Sequence, residues 1–170
     1  WQNIKPYQQQ RVLSFLNPES DPLGLGYHLT QSKIALGSGG SIGKGYLQGS
    51  QSYLEYLPEK QTDFIFTLIG EEFGFLGTIF LLGLFLVVIF LTYLVSYKSK
   101  NVFGRILAFG VASNLFLHVF SNTAMVTGII PVVGVPLPLI SYGGTAMLAI
   151  MISFGLLMNI SVHSNLKKLN

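Results

Sequence analysis

The chain contains no cysteine, and beyond Glu72 it contains no acidic residue. The first absence excludes a disulfide framework and a thiolate metal site, while leaving the compartment open. The second is more informative. All seven carboxylates (Glu19, Asp21, Glu55, Glu59, Asp63, Glu71 and Glu72) fall in the first 72 of 170 positions, so the remainder carries only basic charge in apolar surroundings. Charge of either sign is scarce, at 10% of residues against 50% hydrophobic, and a mean hydropathy of +0.55 is too high for a soluble domain of this length. A basic stripe interleaved with aromatics is also missing. The net charge of +3 comes largely from lysines and Arg105 beside apolar runs, which argues against nucleic acid as a partner. No initiator methionine or signal-peptide pattern opens the sequence at Trp1, and the chain is expected to be a piece of a longer protein.

What is present is a membrane pattern. A hydrocarbon core needs about 20 residues of helix, and three stretches supply them, read as 63–97, 106–127 and 143–162. Positive charge favours the cytoplasmic side. Lys98, Lys100 and Arg105 fall in the 98–105 connection, and Lys167 and Lys168 in the 163–170 tail. Three crossings then put residues 1–62 and the 128–142 connection together on the opposite, external face, where they can share a site. The expected fold class is an all-α integral membrane protein, multi-pass, with the site facing the exterior. A carboxylate costs about 2.5–3.5 kcal/mol at the centre of a membrane helix, so one that persists at the membrane edge needs a reason, and Asp63 is the first to consider.

Residues 1–62 carry Tyr7, Phe15, Tyr27, Tyr46, Tyr53 and Tyr56, with Ile34 and Leu36 as apolar helical positions, and read as a folded loop on the membrane surface. Within it, 37–45 reads G-S-G-G-S-I-G-K-G. The Walker pattern fails because Lys44 is followed by Gly45, and the dinucleotide fingerprint fails because Ile42 occupies the third glycine position. Gly39–Gly43 matches G-x-S-x-G without a strand–turn–helix context, so a nucleophilic Ser41 is not supported. Two readings remain: a tight turn, or freed backbone N–H groups that hold a pyrophosphate-like anion together with Lys33 and Lys44.

The segment Leu57-Pro58-Glu59-Lys60-Gln61-Thr62-Asp63 leads into the first span, with a helix start at either Pro58 or Asp63. In the second case Asp63 is an N-cap. In the first, Glu59 and Asp63 stand at i and i+4 on one face, a pairing that suits a general base or a divalent cation, Mg or Mn. Glu71 and Glu72 lie one to two turns deeper, where at least one needs a polar cavity or a cation. Gly70 and Gly74 form G-x-x-x-G with Gly77 a turn on, read as close packing between membrane helices. His118 and His163 read as packing or interfacial residues, and His28 is left open.

The 128–146 segment is almost wholly apolar yet contains Pro131, Pro136 and Pro138, so it lies against the membrane or re-enters it, with its backbone satisfied by protein. Ser141 to Thr145 then begins the third span, and the N–H groups of a helix start are an anion site. A hydrophobic loop beside such a site suits a lipid that carries phosphate.

Asn122, Gly128, Pro131, Gly134 and Ser141-Tyr142-Gly143-Gly144-Thr145-Ala146, taken with Gly26-Tyr27-His28, Gly43-Lys44-Gly45, Leu57-Pro58-Glu59 and Thr62-Asp63-Phe64-Ile65-Phe66, resemble the SEDS family of bacterial cell-shape, division and sporulation proteins. Tyr27-His28, Lys33 and Gly49-Ser50-Gln51 are closer to its rod-shape branch, and Gln61 departs from that branch, which often has His there. The resemblance implies the C-terminal three transmembrane helices and large external loop of a roughly ten-helix fold in the bacterial cytoplasmic (inner) membrane, with the site facing the periplasm or exterior. It further implies a peptidoglycan glycosyltransferase that polymerises lipid II for cell-wall elongation, beside a class B penicillin-binding protein and other membrane proteins of the elongation complex. A lipid II flippase and a non-catalytic scaffold are the alternatives. Asp63 becomes the catalytic candidate, while Lys33, Lys44, Glu59, Ser141, Gly143 and Gly144 become the substrate-binding ones. A divalent cation, if used, would fall to Asp63 and Glu59.

The orientation is open to a direct check, since each cysteine introduced into this chain is its only one. In the full-length protein, cysteines at positions 50 and 127 are expected to react with an impermeant reagent from outside intact cells, and one at position 99 is not. Labelling at 99 would reverse the topology.

Overall fold

The computed structural model describes residues 5–17, 24–49 and 62–166. Among them the chain forms five α-helices and no strand: α1 Pro6–Leu16, α2 Leu25–Ser38, α3 Ile65–Lys98, α4 Val102–Thr127 and α5 Gly144–Leu166. The last three are long and apolar enough to cross a membrane. Phe80, Leu86, Phe116, Phe120, Leu148 and Ile152 stand exposed along them, a surface suited to lipid or to packing rather than to water.

α3 and α4 form an antiparallel hairpin, the most extensive pairing of elements. Its turn is shorter than the 98–105 connection read from the sequence, because α3 runs to Lys98 and α4 begins at Val102, which puts Arg105 inside a helix. Local polar contacts set these ends. Asn101 caps α4 by accepting from the Phe103 N–H at 3.1 Å, and the Arg105 guanidinium donates through Nε and Nη2 to the Ser99 carbonyl at 3.3 and 3.0 Å. α5 meets the same end of the hairpin, where Ser164 Oγ donates to the Lys98 carbonyl at 3.1 Å. The other end gathers α2, Asp63 and the 128–142 connection.

At that end α3 is interrupted. Gly74 has φ 65° and ψ −163°, a region almost reserved for glycine, which turns the next two N–H groups away from the carbonyls four residues back. The segment after α2 fills the gap. Phe75 N–H donates to the Gly40 carbonyl at 2.9 Å and Leu76 N–H to the Ser41 carbonyl at 3.1 Å. The Glu71 and Glu72 carbonyls, which an unbroken helix would have paired with those two N–H groups, accept instead from Lys44 and Gly45 N–H, both at 3.0 Å. Glycines leave room for this exchange: a Cβ on Gly43 would strike the Glu72 carbonyl, one on Gly74 the Gly43 nitrogen, and one on Gly39 the Gly70 carbonyl. The G-x-x-x-G of Gly70 and Gly74 therefore admits the backbone of residues 39–45 rather than a neighbouring membrane helix, a correction to the reading from spacing. Spacing reveals that a backbone comes close without revealing which one. The 24 residues from Phe75 to Lys98 rise about 36 Å, enough by themselves for a core of about 30 Å.

α2 is fastened to both long helices by a buried hydroxyl pair. Ser32 Oγ donates to the Val126 carbonyl at 2.9 Å, so in its 2.8 Å contact with Thr67 Oγ1 the threonine is the donor. Around this pair Leu29, Phe64, Phe66, Met125, Val126, Val132 and Leu137 form the core.

Alanine at 74 would combine about 1–3 kcal/mol of backbone strain with overlap onto Gly43. Gly74→Ala is therefore expected to lower the melting temperature of the solubilised full-length protein clearly, whereas Gly83→Ala, whose Cβ meets nothing within 4 Å, leaves it unchanged. Equal melting of the two variants would contradict the exchange at the break.

Candidate functional site

Asp63 lies in the 62–64 turn before α3. Phe64 is the N-cap residue, so the span begins at Ile65, not at Asp63, and Asp63 is not the N-cap. Pro58, Glu59 and Gln61 lie outside the described residues, as do Lys167 and Lys168, so the expected Glu59–Asp63 pair is not described.

Three anchors hold the turn. Phe64 is buried in the core, at 3% exposure. Asn122, fully buried on α4, donates from Nδ2 both to the Asp63 carbonyl and to the Val135 carbonyl, each at 2.8 Å. Ser141 Oγ donates to the Thr62 carbonyl at 2.6 Å and accepts from the Leu137 N–H at 2.7 Å. The turn is thus clamped to the proline-containing connection on both sides, and the Val135 carbonyl and Leu137 N–H of the connection are satisfied in return. The Asp63 carboxylate rests against Gly134, where φ is 75° and a Cβ would come within 3.1 Å of Oδ2. Only glycine leaves that oxygen its place.

Positive groups lie on the connection at the same end of the spans, though not all those expected. Arg11 on α1 donates from Nη1 to the Val133 carbonyl at 2.8 Å, one residue from Gly134. Lys33 is exposed on α2 and lies across Gly128 at the end of α4, where the helix carbonyls favour a cation. Lys44, expected at an anion, instead pairs with the buried Glu71, Nζ to Oε1 at 2.8 Å. That pair supplies the cation that Glu71 or Glu72 needed, and Glu72 is itself buried beside it in sequence.

The start of α5 borders a cavity of about 560 Å³ lined by Ile65, Ser141, Tyr142, Gly143 and Gly144. The Gly143 carbonyl accepts the Met147 N–H at 2.9 Å, and the N–H groups of a first helical turn have no acceptor within their helix. Ser141 differs from expectation: its single O–H is committed to Thr62, so it acts as a clamp and has no hydrogen left to give a phosphate. Arg11 was missed in the sequence, and Asn122 was noticed only as part of a motif. A lone arginine on a polar helix gives no periodic signal, and an asparagine inside an apolar span shows that a polar contact exists without showing its partners. Among the described residues His28 Nδ1 and Asn122 Oδ1 are buried with no hydrogen-bond partner, and the His28 ring lies 6.4 Å from that of Phe64.

These features define a multi-pass membrane protein with a carboxylate clamped where two loops meet at one end of its spans. Residues 2–166 match the model of the FtsW/RodA/SpoVE family of cell cycle proteins, and the chain belongs to that family. It is 54% identical over 157 residues to the peptidoglycan glycosyltransferase MrdB of Escherichia coli (strain K12), covering 92% of this chain and 42% of that protein. It is 45% identical over 160 residues to the peptidoglycan glycosyltransferase RodA of Treponema pallidum (strain Nichols), covering 94% and 37%. With the stage V sporulation protein E of Bacillus subtilis (strain 168) it shares 41% over 159 residues, covering 94% and 43%. Among solved structures it superposes on a chain of a peptidoglycan synthase complex, described for its structural coordination of polymerization and crosslinking, with a TM-score of 0.75 at 32% identity over 97% of this chain and 44% of that one. The chain thus spans less than half the length of each of these proteins.

Removing Lys44 would take the ion-pair partner from the buried Glu71 carboxylate. Breaking a buried pair costs about 3–5 kcal/mol, and the lower end applies because Lys44 remains partly open to solvent. Lys44→Met is expected to lower the melting temperature of the full-length protein, and adding Glu71→Gln to recover most of the loss. A Lys44→Met protein of unchanged stability that no longer binds pyrophosphate would return Lys44 to the anion role.

Proposed function

We propose that the full-length protein is a peptidoglycan glycosyltransferase that polymerises lipid II into glycan strands for cell-wall elongation, with Asp63 as its catalytic carboxylate on the external face of the cytoplasmic membrane. The observation that carries this reading is the clamped position of Asp63: its carbonyl is tied to Asn122 and its carboxylate is set against Gly134. A general base has to be held in place before the substrate arrives, and misplacement by about 1 Å can cost about a hundredfold in rate. The kinship with proteins named peptidoglycan glycosyltransferase supports the same chemistry.

In the reaction, an acceptor sugar hydroxyl attacks the anomeric carbon of the donor. Its O–H proton passes to the Asp63 carboxylate as the new C–O bond forms and the bond to the pyrophosphate oxygen breaks. The departing undecaprenyl pyrophosphate is anionic and needs positive charge. Arg11, Lys33 and the first turn of α5 at Gly143 and Gly144 are the groups of this chain suited to it, and the apolar 128–142 connection is suited to the lipid. Among the described residues no three His, Cys, Asp or Glu gather as a metal cage. One carboxylate still fits a magnesium or manganese ion that keeps its waters and binds substrate phosphates, and Asp63 would hold it. Such an ion would supply further charge for the leaving pyrophosphate. A class B penicillin-binding protein is the proposed partner, in keeping with the crosslinking complex that the fold resembles.

Asparagine at 63 preserves size, and glutamate preserves charge while moving it by a methylene. Both variants of the full-length protein are expected to reach normal membrane levels and to lose lipid II polymerisation in a purified assay, by about a hundredfold or more for Asp63→Glu. A flippase or a scaffold has no proton to remove from a sugar. Near wild-type polymer from Asp63→Asn would therefore remove Asp63 from the chemistry.

A further inference from the structure

We propose that the end of the bundle remote from Asp63 holds the phosphate headgroup of an anionic phospholipid, in the cavity between the α3–α4 turn and the last turns of α5. This does not depend on the catalytic reading. The cavity has a volume of about 320 Å³ and a mixed lining, with Lys100, Asn101, Asn159 and His163 among its polar residues and Leu107 and Leu156 among its apolar ones. Polar groups beside apolar ones at the ends of three spans match the junction between a headgroup and its acyl chains.

Charge selects the headgroup. Every carboxylate side chain of the sequence precedes position 73, and Lys100 is exposed, with no ion pair among the described residues. Arg105 has its guanidinium fixed on the Ser99 carbonyl, and Lys98 does not line the cavity, so among the described residues Lys100 is the lysine that borders it. His163 Nδ1 lies 3.3 Å from the Asn159 carbonyl. The first turn of α4 after Asn101 adds the positive end of a helix dipole. Basic pockets between transmembrane helices are a known kind of site for acidic headgroups, and each basic residue near the surface is worth about 1 kcal/mol toward anionic lipid.

The walls are also held in place, which separates a site from a diffuse basic rim. Gly104 brings α4 against both Ser99 and Ile160, where a Cβ would meet Ser99 Oγ at 3.0 Å and Ile160 Cγ2 at 3.2 Å. Ser99 Oγ donates to the Asn101 carbonyl at 3.2 Å, and Ser164 ties the end of α5 to Lys98. Leu107 and Leu156 lie on the membrane-spanning parts of α4 and α5, which selects a lipid over a free phosphate.

The test uses purified full-length protein in neutral detergent, titrated with phosphatidylglycerol or phosphatidylcholine and read by native mass spectrometry. Wild type is expected to retain one phosphatidylglycerol in preference to phosphatidylcholine. Lys100→Gln is expected to weaken that retention about fivefold to tenfold, corresponding to about 1 kcal/mol, and Lys100→Arg to restore it. Lys98→Gln removes the same charge from an exposed residue that does not border the cavity, and is expected to bind as wild type does. Equal weakening by Lys98→Gln, no preference between the two lipids, or displacement of the lipid by inorganic phosphate would each overturn the proposal. Lys100 is exposed, so its substitution leaves the fold intact. Should Lys100→Gln nevertheless fail to fold, Asn159→Leu gives the same readout from α5.

Discussion

Four backbone hydrogen bonds across the break at Gly74 determine how the rest of this molecule is arranged. A polar backbone group left unpaired in an apolar setting costs several kcal/mol, whereas a paired one contributes only about 0.5–1.5 kcal/mol net. The interruption of α3 is therefore tolerable only while Gly40, Ser41, Lys44 and Gly45 supply the missing partners. The same bonds fix the segment after α2 onto the membrane helix. Through Ser32 and Thr67 that attachment extends to α4, and the Lys44–Glu71 pair adds a side-chain contact beside the backbone ones. A broken span and a docked loop are here one structure, since neither is satisfied without the other.

Asp63 is positioned by a second fastening that starts from the first. With the upper part of α3 held by α2, the turn before it is pinned by the burial of Phe64 and by Asn122 and Ser141, which reach it from α4 and from the start of α5. The carboxylate is then confined by Gly134 on the connection that the same two side chains hold. Rigidity of this kind suits the proposed reaction, in which one oxygen would have to meet one sugar hydroxyl, and the apolar composition of the connection suits the proposed lipid. The polar work is done by a few residues that each bind two partners.

Much of the fold was legible in the sequence, because three charge-poor runs separated by basic and by proline-rich turns allow few alternatives to three membrane helices. The family was legible from motifs spread over most of the chain. What could not be read was which backbone met which. G-x-x-x-G at Gly70 and Gly74 signalled close approach, but the partner was a loop thirty residues away in sequence, and no periodic pattern encodes such a pairing. Lys44 looked like an anion ligand because its glycine-rich surroundings suit one, whereas the buried Glu71 decided its use. Ser141 sits in the motif expected at a helix start, yet its hydrogen goes to Thr62. Arg11 left no trace, since a single basic residue on a surface helix is ordinary.

The dependence of the loop on the break can be measured by amide hydrogen exchange on the full-length protein in detergent or nanodiscs. Residues 40–45 contain no regular helix of their own, so any protection of the Lys44 and Gly45 amides must come from the Glu71 and Glu72 carbonyls. The account predicts that these two amides exchange as slowly as those of Phe75 and Leu76, and that all four open together as denaturant is raised. Fast exchange at Lys44 and Gly45 while Phe75 and Leu76 stay protected would show that α3 is satisfied without the loop, and would contradict the account at its base.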